Sequence, residues 1–424
     1  MRESRGILDF GFRISDFATA SNPKSQIANQ KLQIQPDAHP HRWRILAVLS
    51  VAELLGMSLW FTASAVSPQL SELWGLNATR TGWLTAVVQL GFVAGTAAAA
   101  VLNLADVLPA RWYFTVSAVL AALANAAIVG VSGFGAALAS RFLTGFFLAG
   151  VYPPAMKMIA TWFKSARGLA IGAIVGALTV GKAMPYLLRA FETTNWHMVV
   201  LAASAGAALA AALVGAAYRD GPYTFVSRPF SWGLVGTVVR HRKTRLAVGG
   251  YLGHMWELYA MWTWIPAFLA ASAGRPVDTL AFGSIAIGGL SCVWGGWAAD
   301  RWGRERLVNL AMALSGTCAL LIGFVFGGNL ALVTALAWCW GFFVIADSAQ
   351  FSALVTEVTP EHAVGTALTL QTSSGFLLTM VTIQIVPMIA QSIGWRWAFA
   401  VLALGPAAGI WSIQRLRTER GAGA

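Results

Sequence analysis

Residues 145–163 read GFFLAGVYPPAMKMIATWF, and residues 341–359 read GFFVIADSAQFSALVTEVT. The two stretches align without gaps at an offset of 196 residues, so the chain carries an internal repeat. Two other features recur at a similar offset: a basic loop around Asp106 and around Asp300, and a tryptophan that opens an apolar segment, Trp196 and Trp397. The repeat predicts two similar halves related by an axis along a membrane normal, with a cavity between them.

The composition places the chain in a membrane. Of its 424 residues 57% are hydrophobic and only 11% are charged, about half of the charged share of a soluble protein. The apolar residues come in runs of about 20, the length of a helix that crosses a bilayer. Twelve such segments are present, six on each side of the longest polar break: 44–66, 81–103, 111–132, 135–162, 168–190, 196–217, 245–271, 279–299, 306–327, 330–356, 364–390 and 394–414.

We therefore predict an all-α membrane protein with twelve transmembrane helices in two six-helix bundles. The polar, aperiodic N-terminal stretch is read as a disordered cytosolic tail or as the product of a start codon assigned too early. The predicted parts are a tail at 1–43, an N-terminal bundle at 44–218, a cytosolic central loop at 219–244, a C-terminal bundle at 245–414 and a second tail at 415–424.

The basic residues predict the orientation. If both termini are cytoplasmic, 22 Lys and Arg residues fall on the cytoplasmic side and three, Arg80, Arg275 and Arg396, fall outside. Cytoplasmic loops are enriched in Lys and Arg, so the orientation with both termini in the cytoplasm is favoured. We expect the protein to lie in the plasma membrane. The net charge of +12 is then a topology signal and does not indicate nucleic-acid binding.

Two motifs carry a resemblance to a known family. GGWAADRWGRER (295–306) fits the pattern G-x-x-x-D-R-x-G-R-x-[RK], and RFLTGFFLAG (141–150) in the fourth span fits R-x-x-x-G. Both are similar to signatures of the major facilitator superfamily. The continuation YPPAMKMIATWFKSARGLAIG resembles the block P…WF…RG-A-G of branches that carry organic anions. The resemblance covers residues 44–414, and it implies a secondary transporter with spans 1, 4, 7 and 10 around the cavity.

The loop signature implies a conformational latch. Its candidate residues in the second half are Gly296, Asp300, Arg301, Gly303, Arg304 and Arg306. The copy in the first half, LNLADVLPAR, keeps Asp106 and Arg111 but has lost the glycines. The carboxylate is expected to meet a neighbouring helix N-terminus and the arginines. The alternative is that these arginines only fix the topology.

Charged residues inside the predicted spans are candidates for function, because each costs about 2.5–3.5 kcal/mol at the bilayer centre. Most lie on the cavity helices. Glu53 and His254 each follow a basic residue by nine positions, which puts them roughly 13 Å into the membrane. The residues of this class are Glu53, Arg141, Lys157, Lys182, Arg189, His254, Glu257 and Asp347.

From these residues we expect two groups of site residues. The substrate-binding candidates are Lys157, Lys182, Tyr152, Glu257 and Trp264. The proton-coupling candidates are Glu53, Arg141, His254 and Asp347. Structural salt links of the acids with Lys157 or Lys182 remain an alternative, as does an outward-reaching anchor role for Arg141. A metal at His254 and Glu257 is disfavoured because no further His or Cys joins them.

The predicted function is alternating-access transport of a small polar solute, an organic anion or zwitterion, coupled to protons. Another transporter role, export of drugs or metabolites, is the alternative, and a transporter-derived sensor or a membrane-embedded enzyme is a remote one. No enzyme activity, cofactor or metal is predicted, and the protein is expected to act as a monomer in the lipid bilayer. The prolines of YPPAMK further predict a kink in span 4 that its counterpart in span 10, DSAQFS, does not share.

Overall fold

The computed structural model describes residues 39–164, 166–191, 195–223 and 230–421, and at residues 105, 106 and 167 it describes the backbone without the side chain. The predicted tail 1–43 therefore lies almost wholly outside the described residues, as does the side chain of the latch candidate Asp106. Within the unit His41–Ala424, every regular element of the described part is a helix.

Spans 1 to 6 form the N-terminal half. Their helices are Arg42–Met57 with Thr62–Ala65 and Ser67–Trp74, Ala78–Val101, Ala110–Ala126 with the 3-10 turn Ala127–Gly130, Phe134–Leu148 with Tyr152–Ala160, Arg167–Arg189, and Trp196–Ala217. A short helix, Leu104–Val107, follows span 2.

Spans 7 to 12 form the C-terminal half. Their helices are Arg242–Ala273, Asp278–Ala286 with Gly288–Trp302, Arg304–Val325, Leu330–Ala346 with Ser348–Val358, Val364–Ile393 after the turn Glu361–Ala363, and Trp395–Ala398 with Ala400–Ala403 and Leu404–Gly421. Together the two halves confirm the predicted twelve-helix fold.

Ten helices of the described chain are long and apolar enough to cross a membrane. The other two spans have visible reasons for falling short. Span 1 is divided into three short helices, and span 7 carries His254, Glu257 and several aromatic side chains in its middle. We call the face with Arg42 and Gly421 the terminal face, and the opposite face, where span 5 ends and span 8 begins, the distal face.

The repeat has a packing basis. Gly145 of span 4 and Gly341 of span 10 are the first residues of the two aligned stretches. A Cβ at Gly145 would overlap the carbonyl oxygen of Val88, and one at Gly341 would overlap that of Ser284. Glycine therefore lets spans 4 and 2 approach each other as closely as spans 10 and 8 do.

The structure corrects one prediction about the kink. Span 4 is interrupted between Leu148 and Tyr152, but span 10 is interrupted too, at Asp347, which aligns with Val151. Both second helices thus begin at equivalent positions, with prolines in one and none in the other. The break belongs to the repeated fold, and only the prolines and Lys157 are specific to span 4.

Glycines also close the contact between the halves. In span 5, a Cβ at Gly172 would lie 3.1 Å from the carbonyl oxygen of Cys292 in span 8, and one at Gly176 would lie 2.7 Å from that of Gly289. Spans 2 and 11 make the other contact, where the rings of Phe92 and Phe376 are 4.8 Å apart.

Two of the predicted polar parts contain helix. The predicted central loop contains the helix Trp232–Arg240, and the preceding Ser231 donates its backbone N–H to Thr366 at 3.0 Å. The predicted C-terminal tail continues the last helix as far as Gly421.

Candidate functional site

Lys182 lies at the seam between the two halves. Its side chain is buried, and its Nζ donates a hydrogen bond to the hydroxyl of Tyr259 in span 7. The ammonium group is 4.1 Å from the ring centre of Trp60, 4.7 Å from that of Tyr259 and 5.4 Å from that of Trp262. Desolvated cation–π contacts of this kind are each worth about 2 kcal/mol or more. The lysine therefore ties span 5 to span 7.

The rings around Lys182 belong to a larger layer that we call the aromatic seal. It closes the seam with three buried rings from each half. Trp60 contacts Phe376 with ring centres 5.6 Å apart, and Tyr259 contacts Phe376 at 5.3 Å. The members of the seal are Trp60, Phe61, Phe92, Tyr259, Trp262 and Phe376.

Glu53 lies next to this lysine. The backbones of spans 1 and 5 touch where Leu54 meets Gly181, and these are the sequence neighbours of Glu53 and Lys182. Glu53 and Lys182 lie within electrostatic range of each other, and Tyr152 lies within the same range of Glu53. Glu53 is fully buried, and neither of its carboxylate oxygens has a hydrogen-bond partner among the described residues. Three sequence-predicted site residues thus come together, around a carboxylate that lacks a donor.

Arg141 is completely buried and binds four acceptors. Its Nη1 donates to the carbonyl of Leu59 at 3.0 Å and to Asn125 Oδ1 at 2.7 Å, and its Nη2 donates to the carbonyl of Trp60 at 2.6 Å. The fourth acceptor is the carbonyl of Leu84, 3.4 Å from Nε. Two of these carbonyls lie in the break of span 1, where that of Leu59 accepts only a long bond of 3.4 Å from the backbone N–H of Thr62. The side chain does not reach outward as an anchor would.

His254 and Asp347 pair within the C-terminal half. His254 Nδ1 of span 7 is 2.9 Å from Asp347 Oδ1 at the break of span 10, and both side chains are buried. The two atoms are close, but the contact does not have the angles of a hydrogen bond. Asp347 Oδ1 therefore forms no hydrogen bond with the described residues. His254 Nε2 also lacks a partner there. The two residues form one buried pair inside this half.

Glu257 points away from the seam. Its Oε2 accepts a hydrogen bond from Ser315 of span 9 at 2.8 Å, and its Oε1 accepts one from the indole of Trp340 in span 10 at 2.7 Å. Both carboxylate oxygens are therefore satisfied by neighbours in the same half. No group of three or more His, Cys, Asp or Glu residues in the described chain is placed to hold a metal.

Two other candidates lie apart from Lys182. Lys157 is half-buried in the last turn of Tyr152–Ala160, near the terminal face. Trp264 lies toward the distal face, where its indole donates to the carbonyl of Ile383 at 2.8 Å. The structure therefore does not bring these two residues to the centre of the seam.

The latch candidate Asp300 reaches the other half. Its carboxylate lies 3.7 Å from where a Cβ of Gly168 would be, in the first turn of span 5. A Cβ at Gly296 would lie 3.6 Å from the carbonyl oxygen of the same Gly168. A carboxylate at a helix N-terminus is favourable, and here the helix belongs to the opposite half.

The arginines of the signature bind within their own half. Arg304 donates to Glu357 at 2.7 Å and to Gln350 at 2.6 Å, and both acceptors lie on the second helix of span 10. Arg301 stacks on Trp297, with its Cζ 4.2 Å from the ring centre. Gly303 has a φ of +88°, which a side chain would strain.

The two remaining latch candidates are Arg306 and Arg111. Arg306 is exposed in the first turn of span 9. In the first half, Arg111 donates to the carbonyl of Gly215 and so joins span 3 to span 6.

The sequence interpretation missed an ion pair across the distal face. Arg189 at the end of span 5 lies 3.1 Å from Asp278 at the start of span 8, and it also donates to the carbonyl of Ala65. Both charged side chains are largely buried, with 15% and 13% of their area exposed. The signal was weak because each residue reads as the ordinary polar end of a span.

The comparisons with known proteins cover nearly the whole chain. The model of the Major Facilitator Superfamily matches residues 48–346 and 279–423. The chain belongs to this superfamily. It is an integral membrane protein with the twelve-helix fold of that superfamily, and the proteins to which it is similar are transporters.

Individual relatives agree with this assignment. The hexuronate transporters of Escherichia coli strains K12 and O157:H7 are each 24% identical in an alignment 413 residues long, which covers 88% of this chain and 94% of theirs. Among solved structures, a bacterial homologue of the human lysosomal transporter Spinster, described as inward-facing and unoccupied, matches with a TM-score of 0.65 and 14% identity. The match covers 89% of this chain and 96% of that one, and it supports the fold.

Proposed function

We propose that this major facilitator protein moves a small organic anion across the membrane, coupled to protons, by alternating access. The observation that carries the proposal is the buried ammonium group of Lys182 at the seam between the halves, beside the unpartnered carboxylate of Glu53. The similarity to the hexuronate transporters supports a carboxylate substrate with several hydroxyl groups.

The two groups have complementary roles in this proposal. The substrate carboxylate pairs with Lys182, and a proton on Glu53 compensates the charge that Lys182 no longer neutralises. A buried charge without a partner is costly, so substrate and proton favour each other's binding. Lys157, nearer the terminal face, guides the anion toward the seam, and Tyr152 contacts it there.

The alternating access requires one face to open while the other stays shut. In this proposal the protein lies in the plasma membrane with both termini in the cytoplasm. The terminal face is then the cytoplasmic face. The aromatic seal and the pair of Arg189 with Asp278 then close the outer side. The contact of Asp300 with span 5 is the latch of the cytoplasmic side. The protein is proposed to work as a monomer, since the seam lies within one chain.

Uptake into proteoliposomes tests this function. We expect radiolabelled D-glucuronate to accumulate when the outside is made more acidic, and to equilibrate without accumulation when the gradient is collapsed. Replacing Lys182 by Gln is expected to reduce uptake about 100-fold, because a truncated partner of a buried charge pair costs about 2–5 kcal/mol. The matched variant Lys157→Gln is expected to raise KM only a few-fold.

The same assay separates the alternatives. Uptake or extrusion of a lipophilic cation in place of glucuronate would favour the exporter function and would end the anion proposal. Equal activity of Lys182→Gln and the wild-type protein would remove Lys182 from the binding site.

A further inference from the structure

A cavity lies at the distal face, separate from the surroundings of Lys182. Its volume is about 360 Å³, which is within the usual range for small-molecule sites. Spans 1, 2 and 5 of the N-terminal half form one wall, and span 7 with the turn into span 8 forms the other. A solute bound there would contact both halves.

Hydroxyl groups dominate the polar part of this wall. Tyr186 is 1% exposed, lines the cavity, and has a hydroxyl without a partner among the described residues. Thr85 and Ser64 line it as well and bond to each other, and Thr81 and Thr263 add two more hydroxyls. A buried hydroxyl without a partner is unfavourable by about 1–3 kcal/mol, so the Tyr186 hydroxyl is suited to a ligand oxygen.

The charged residues of the wall give it a positive balance. Arg189 and Arg275 line the cavity together with one acid, Asp278. The Nε of Arg189 pairs with Asp278, and one of its amino groups donates to the carbonyl of Ala65. These two contacts hold the guanidinium in a fixed orientation. Arg275 is exposed in the turn between spans 7 and 8. A planar guanidinium binds a carboxylate with good geometry.

The position of the cavity relates it to the transport route. Tyr186 follows Lys182 by four residues on span 5, so the two side chains lie on the same face, one turn apart. Lys182 contacts the aromatic seal through the rings of Tyr259 and Trp262. The cavity therefore lies on the distal side of the seal and directly in line with the lysine.

We propose that this cavity is a distal binding site for a monocarboxylate that carries several hydroxyl groups. Arg275 and Arg189 hold the carboxylate, and the hydroxyls of Tyr186, Thr81 and Thr85 bond to those of the ligand. The site holds the solute before the seal opens toward Lys182 or after it has passed. It goes beyond the proposed function because binding here requires neither proton coupling nor transport.

Equilibrium binding to the purified full-length protein in nanodiscs, followed by calorimetry, tests the proposal. The probe is D-glucuronate, with D-glucose as the ligand that has no charge and cyclohexanecarboxylate as the one that has no hydroxyls. The wild-type protein is expected to bind two equivalents of glucuronate, and Lys182→Gln to retain one. In the Lys182→Gln background, Tyr186→Phe is expected to weaken the remaining binding about fivefold, the effect of one lost hydrogen bond.

Matched controls make the result specific to the cavity. Tyr218→Phe removes a hydroxyl that already has partners near the terminal face, and it is expected to leave glucuronate affinity unchanged. Both other ligands are expected to bind at least tenfold more weakly than glucuronate.

Three outcomes would overturn the proposal. One is complete loss of glucuronate binding in Lys182→Gln while Tyr186→Phe alone binds like the wild type. Another is equal affinity for glucose, which would remove the arginines from the site. If Lys182→Gln does not fold, the wild-type stoichiometry decides: a single equivalent that Tyr186→Phe does not weaken contradicts a distal site. Binding at the cavity without any uptake would refute the transport function and leave this site standing.

Discussion

The charged groups of the two halves are satisfied in different ways. In the C-terminal half, Glu257 accepts hydrogen bonds from Ser315 and Trp340, and Asp347 lies against His254. All of these partners belong to the same half. In the N-terminal half, Glu53 has no hydrogen-bond donor among the described residues, and Lys182 binds Tyr259 of the opposite half.

The difference indicates which charged groups change their contacts during the conformational cycle. If each half moves as a rigid unit, the contacts of Glu257 and Asp347 travel with it unchanged. The contacts of Lys182 must break when the seam opens on the distal side, because Tyr259 and Trp262 move away with the other half. The N-terminal pair of Lys182 and Glu53 is thus the stronger candidate for coupling, and the C-terminal cluster is the stronger candidate for holding spans 7, 9 and 10 together.

The largest expected effect concerns Arg141, whose predicted role is coupling. Replacing it by Met leaves the carbonyl of Trp60 and the amide oxygen of Asn125 without this donor, and it leaves the carbonyl of Leu59 with only the N–H of Thr62 at 3.4 Å. Each orphaned buried group costs about 1–3 kcal/mol, and whole proteins are stable by only about 5–15 kcal/mol. We expect Arg141→Met to lose most of its folded fraction, measured by thermal unfolding in detergent.

The matched variant is Arg189→Met, which removes a less buried arginine and is expected to fold. Arg141→Lys should be intermediate, since a lysine reaches fewer of the acceptors. A fully stable Arg141→Met protein that has lost only proton-driven uptake would instead support the coupling role and contradict the structural one.

The next effect tests the comparison between the halves directly. A gradient of one pH unit supplies about 1.4 kcal/mol per proton, enough for about tenfold accumulation of a solute that moves with one proton. Glu53→Gln is expected to abolish this accumulation while glucuronate exchange continues. Glu257→Gln is expected to keep it within a few-fold, because the amide oxygen still accepts from Trp340 or Ser315. The reverse order of the two variants would place coupling in the C-terminal half.

The fold was predictable because its signals are long and repeated. The offset of 196 residues, the glycines at 145 and 341, and the basic loop at Asp300 each recur or match a pattern that needs no three-dimensional information. The wrong prediction of a kink in span 4 alone came from treating proline as the cause of a break. Span 10 breaks at the aligned position with Asp347 and no proline, so the break does not require proline.

The site was predictable only in part. Charges in apolar spans pointed to Lys182 and Glu53, because burying them is costly wherever they point. The rotation of each helix was not readable in the same way, so Glu257 was expected at the seam and lies against Trp340 instead. The aromatic seal and the pair of Arg189 with Asp278 were missed because each depends on two segments that are far apart in sequence and meet only in the fold.

The smallest expected effect concerns that distal pair. The pair lies on the wall of the distal cavity, and Asp278→Asn keeps a side-chain oxygen that can accept from Arg189, so this change should cost about 1 kcal/mol and shift the opening of the distal side by about fivefold. Asp278→Asn is the cleaner change, since Arg189 keeps its bond to the carbonyl of Ala65. A membrane-impermeant maleimide is expected to label Ser64→Cys, on the cavity wall, several-fold faster in this variant, and high salt should produce part of the same increase in the wild type.

Arg304→Gln, which breaks an ion pair inside the C-terminal half, should leave the labelling rate unchanged. An equal increase from Arg304→Gln would mean that pairs within a half control the distal side as much as pairs across the seam, and the contrast between the halves would not hold.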